Sequence, residues 1–160
     1  MRSAPRLVHQ ELSRRFGSLP LWLAEGVACA GEERAFGEIW ANWYRDSFVS
    51  VLAHGGWRND ASRLVAKNQR PLPDLYAYPA RPFDEDLARF AFAFAVYGLE
   101  ADREGFARLL AGMAEDSRAQ GGGRYEPAPA RVQELVSAAF GADFERDFRS
   151  WWAKPPKTPR

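Results

Sequence analysis

Between residues 19 and 28 the chain reads Leu-Pro-Leu-Trp-Leu-Ala-Glu-Gly-Val-Ala, and one carboxylate in it constrains the fold more than any other residue. At about 100° per residue, a helix entered through Pro20 places Leu21, Trp22, Ala28 and Cys29 on one face, with Glu25 in the middle of it. A carboxylate among apolar groups must be protonated, paired with a cation or bound to a metal, because an unpaired charge is costly away from water. The helix carrying Glu25 therefore has to pack beside an element that supplies a partner. Candidates are an arginine from the preceding segment, such as Arg6 or Arg14, His9, or a cluster of backbone amides.

The Trp22-Leu23-x-Glu25-Gly26-x-Ala28 pattern behind a Leu-Pro entry resembles the second zinc helix of gluzincin metallopeptidases, in particular the peptidase MA-like group. The resemblance implies that Glu25 descends from the third zinc ligand. In that family an upstream H-E-x-x-H helix supplies two histidines and the general base. No H-E-x-x-H occurs in this chain. The segment Arg6 to Gly17 resembles the end of that first zinc helix and its exit turn, in either of two registers. In one, His9 is the second zinc histidine, sixteen residues before Glu25, and Pro5 and Arg6 stand where the first histidine and the catalytic glutamate belong. In the other, His9 lies downstream of the motif and no zinc histidine remains. Neither register restores a catalytic site, so no catalytic residue is assigned, and the metal-ligand candidates are His9 and Glu25. Zinc is the cofactor the resemblance implies, and little of it is expected to be bound by this chain.

The remainder reads as helices separated by strong breakers. Helix one carries an apolar stripe of Val8, Leu12 and Phe16 with His9 at its edge. Residues 33–53 bring aromatic and aliphatic groups at three- and four-residue spacing and stop at His54-Gly55-Gly56, where His54 suits a C-terminal cap. Glu32 and Glu33 are read as the start of that helix. A short helix over 60–67, capped by Asn59 or Asp60, precedes a loop over 68–83 whose four prolines exclude helix or central strand. There Tyr76 and Tyr78 are expected to pack the loop down. Residues 84–99 are ambiguous: Phe90, Phe92 and Phe94 alternate with alanine as in a strand, but the Leu87, Ala91, Phe94 and Gly98 stripe and the alanine density favour helix. Helices over 104–118, 131–140 and 143–153 follow. The run Gly121-Gly122-Gly123 opens a flexible connector and lacks the Lys-Ser/Thr of a phosphate loop. Of Trp151 and Trp152, one is expected in the core and one partly exposed.

The predicted class is all-α: a single helical domain over 1–153, similar to the C-terminal helical lobe of a gluzincin or zincin-like fold, with a disordered tail over 154–160. Its ending, Phe140-Gly141-Ala142-Asp143 through Trp151, resembles the family's, whereas Leu87 and Phe90 occupy the neighbourhood where the family carries a tyrosine. A resemblance starting almost at residue 1 implies the C-terminal part of a larger peptidase-like domain. A net charge of +1 with interspersed arginine and glutamate excludes a broad nucleic-acid footprint. A single cysteine, Cys29, excludes an internal disulfide and suits a packed thiol. No apolar run spans a bilayer, and the first residues contain no signal-peptide core, so the chain as written is expected in the cytoplasm, although family members are often exported. A peptide or protein is the partner class left open. The sequence thus points to a catalytically silent peptidase relative. The alternatives are an active metallopeptidase completed by further N-terminal sequence and an unrelated helical interaction module.

Overall fold

The computed structural model describes residues 4–39, 56–67, 71–78 and 83–154. They form eight helices: α1 (Ala4–Phe16), α2 (Leu21–Phe36), α3 (Trp57–Ala66), α4 (Leu72–Tyr76), α5 (Glu85–Glu100), α6 (Arg103–Ala119), α7 (Pro129–Phe140) and α8 (Phe144–Trp152). No β-strand is found among the described residues, so the all-α class holds. None of these helices is long and apolar enough to cross a membrane.

The fold is organised around α5. Its first turn is closed by Asp84, whose carboxylate accepts the Leu87 backbone N–H at 2.8 Å, the usual way an N-cap satisfies an orphan donor. Every residue from Leu87 to Gly98 except Arg89 is buried, and α2, α3, α4, α6 and α8 all pack against it. This surrounds-on-all-sides position explains the alternating phenylalanines. A helix apolar around its whole circumference is stable only when enclosed, and the three rings reach several of the surrounding helices. Phe90 meets Phe148 of α8 at 6.0 Å between ring centroids. Phe92 meets Trp57 of α3 edge-on at 5.6 Å, and Phe94 meets Trp22 of α2 edge-on at 5.2 Å. Edge-to-face pairs of this kind add about 0.5–1.5 kcal/mol each beyond the area they bury.

Helices α2 and α5 cross with their backbones in contact. A Cβ at Gly26 would lie 2.4 Å from the Ala91 carbonyl oxygen, so only glycine allows the two backbones to approach this far. At the other end of the bundle α8 stacks Phe144 on Phe140 at 4.6 Å. The buried Trp152 indole N–H donates to the Ala93 carbonyl at 3.2 Å, and Ser62 Oγ donates to the Trp152 carbonyl at 2.7 Å. Trp152 is fully buried and Trp151 partly exposed, as the sequence implies.

Several boundaries differ from the sequence reading. Glu32 and Glu33 do not open a helix; they lie near the end of α2, which stops at Gly37 in the left-handed conformation, its N–H donating to the Glu33 carbonyl. The rest of the helix expected over 33–53, with His54, lies outside the described residues. Helix α3 starts at Trp57, behind Gly56 at φ +87°, rather than at an Asn59 or Asp60 cap. Burial of Trp57 and Arg58 outweighs the local capping preference. The proline-rich loop contains α4, because Pro73 falls in its first turn, where the missing N–H is not needed. Tyr76 is buried by that helix. The connector after Gly123 is tied down: Tyr125 is buried, and its hydroxyl donates to Asp116 at 2.6 Å. The tail over 155–160 lies outside the described residues.

Candidate functional site

Helix α1 ends at Gly17, whose φ of +71° lets the chain reverse and whose N–H donates to the Ser13 carbonyl at 3.0 Å. Ser18 and Leu19 lead to Pro20, which starts α2 with its fixed φ. The elbow lays α1 along α2, with Val8 next to Gly31, where an added Cβ would touch its methyl groups at 3.4 Å.

One pair of functional atoms is brought together across these two helices. His9 Nε2 lies 3.3 Å from Glu25 Oε1, each side chain one-third exposed. The hydrogen bond with Glu25 raises the His9 pKa above its ordinary 6.5; burial opposes it, and the charges of Glu25 and Glu32 add to it. Of the partners expected for Glu25, His9 is found beside it; the side chain of Arg6 lies outside the described residues. Arg14 turns away and pairs with Glu11 at 2.8 Å. Hydrogen bonds from Arg14 and Arg15 hold the Glu11 carboxyl down to about 2.

The expected face is correct for Trp22, Ala28 and Cys29, which are buried, but not for Leu21, which is 38% exposed. Glu25 accordingly sits at the edge of the buried face rather than at its middle. Most of the Trp-Leu-x-Glu-Gly-x-Ala pattern is accounted for by packing: Trp22 and Leu23 are core residues, Gly26 admits α5, and Ala28 is buried. Glu25 is the conspicuous residue of the pattern that packing leaves unexplained. The Cys29 thiol is buried, and that burial pushes its pKa well up, with the nearby Glu25 and Glu32 charges adding to the effect. It is a packed, protonated thiol. Among the described residues there is no group of three or more His, Cys, Asp or Glu side chains arranged to hold a metal ion.

The strongest ionic cluster was not singled out by the sequence. Arg58 of α3 reaches between α2 and α5, with Nε donating to Glu33 at 2.8 Å and Nη1 to Glu100 at 3.0 Å. Arg58 and Glu33 are buried. Burial raises the Glu33 pKa, and Arg58 opposes the rise. The signal was available in the helical spacing, since Glu33 follows Gly26 and Ala30 at i+7 and i+3 on the buried stripe.

Beside the His9 end of the elbow is a cleft of about 320 Å³. Its lining combines Leu12, Leu19 and Leu21 with His9, Ser13, Ser18, Tyr78 and residues 124–126. Tyr78 is held edge-on by Phe83 at 5.8 Å.

No family model, no curated protein and no solved structure matches this chain.

Proposed function

We propose that the chain is a catalytically silent gluzincin relative of the peptidase MA-like group, in which the two zinc helices persist as α1 and α2 with two of the three ligand positions, His9 and Glu25. The observation that carries this reading is the 3.3 Å separation of His9 Nε2 and Glu25 Oε1. Tetrahedral zinc with bonds of about 2.0–2.1 Å keeps its donor atoms about 3.3 Å apart. Donors to one metal must stand side by side in this way, and the adjacency of His9 and Glu25, here met by a hydrogen bond between them, supports the register in which His9 is the second zinc histidine.

The donor set does not make a working centre. Two protein ligands fit the metal, and the positions of the other histidine and of the general base hold Pro5 and Arg6, which offer no donor and no carboxylate. A peptidase of this type needs zinc to polarise water and a carboxylate to take its proton. No hydrolytic step is therefore assigned to these residues.

The test is Pro5→His with Arg6→Glu, which rebuilds H-E-x-x-H against His9. The double variant is expected to bind one zinc per chain, and to lose it when His9→Ala or Glu25→Gln is added, while remaining inactive on unstructured protein substrates. Failure to bind zinc with an unchanged helical spectrum would overturn the proposed register. Chelator-sensitive peptide cleavage by the unmodified chain would overturn the silent reading.

A further inference from the structure

Leu21 and Phe36 are the large apolar side chains left exposed among the described residues, and the two differ in setting: Leu21 lies in the wall of the 320 Å³ cleft. Leu12, Leu19 and Tyr78 line the same cleft. A cleft of this size is at the small end of those that enclose a ligand. It also has a charged edge. Tyr125 is buried and anchored to Asp116, and its exposed neighbours Arg124 and Glu126 line the cleft and pair through Nε and Oε1. An exposed ion pair of this kind contributes little to stability, about 0–1 kcal/mol. Exchanging it for two new partners of matching charge therefore costs little.

From this arrangement we infer that the cleft is a binding site for a free α-amino acid with a branched or aromatic apolar side chain. The ligand's carboxylate takes the Arg124 guanidinium, which suits planar two-point recognition, and its ammonium takes the Glu126 carboxylate. Its side chain lies on Leu12, Leu19 and Leu21. The charges at the cleft decide against other small ligands. Arg124 is balanced by Glu126 and His9 by Glu25, so there is no surplus of positive charge for a phosphate. An internal peptide segment carries neither of the charged ends that the rim pair matches. This site does not depend on the zinc reading.

Calorimetric titration with L-leucine and L-phenylalanine, in chelator so that metal plays no part, tests the assignment against N-acetyl-L-phenylalanine amide, which keeps the side chain and lacks both charges. Saturable binding of the free amino acids is expected, at least about tenfold tighter than the capped compound, a difference of about 1.4 kcal/mol. Arg124→Ala with Glu126→Ala should weaken that binding by a similar factor with an unchanged melting temperature, since both side chains are at the surface. Leu21→Ser should weaken it independently. Equal binding of the capped compound, no saturation up to the solubility limit, or an unaffected double variant would each overturn the assignment.

Discussion

Gly26 of α2 and Ala91 of α5 touch backbone to backbone, with room for no side chain between them: a Cβ on Gly26 would sit 2.4 Å from the Ala91 carbonyl oxygen. The glycine of the Trp-Leu-x-Glu-Gly pattern is thus needed by the helix crossing, irrespective of any chemistry at Glu25. Gly26→Ala should destabilise the protein by about 1–3 kcal/mol, as overpacking does, even though alanine is the better helix former. Urea unfolding checks this, and a stability gain would mean that the crossing is looser than the contact implies.

Removal of Arg58 should be the most damaging single change at a charged residue. Arg58→Ala leaves Glu33 buried without its guanidinium and Glu100 without one of its partners, a loss of about 3–5 kcal/mol for a buried ion pair broken on one side. Arg58→Met with Glu33→Gln removes both charges while keeping volume, and should recover much of that loss. The comparison is read from chemical denaturation midpoints of the two variants.

The His9–Glu25 pair makes stability depend on pH in a defined direction. The native pKa of His9 is raised above its ordinary 6.5, so the folded state holds the proton more tightly than the unfolded state does. Its stabilising contribution is complete below about pH 6.5 and is lost as pH rises through the raised native value. Both side chains are one-third exposed, which reduces the effect to about 0.2–1 kcal/mol. Glu25→Gln should flatten this part of the pH–stability curve, as followed by thermal melts at a series of pH values.

Zinc content offers a separate measurement. With two ligand positions rather than three, the purified chain should retain well under one zinc per molecule after dialysis. Elemental analysis decides this, and stoichiometric zinc that disappears in Glu25→Gln would require a third donor.

The legible part of the fold was the part governed by period and punctuation. Helices α5 to α8 are close to their expected bounds because Asp84 and Asp102 cap them and Gly141 ends one. What could not be read came from long-range contact. Glu33 resembles an N-terminal helix charge until Arg58 arrives from α3. Pro73 resembles a breaker until it falls in a first turn. Phe90, Phe92 and Phe94 resemble a strand until three other helices enclose them. At the site, helical phase put Glu25 too deep: its side chain is one-third exposed at the edge of the buried face, because Leu21 does not join that face. The choice of His9 over Arg14 depended on the elbow at Gly17, which turns His9 towards α2, and on Glu11 claiming Arg14.

The enclosure of α5 also sets a hierarchy of amide exchange with solvent. Its peptide groups are sheathed by five other helices, so deuterium can reach them only when the whole bundle comes apart, and they should report the global unfolding free energy. Helix α1 contacts α2 and α6 along one side, with His9–Glu25 as its described ionic tie to α2. It is placed to open by itself, and its amides should exchange orders of magnitude sooner.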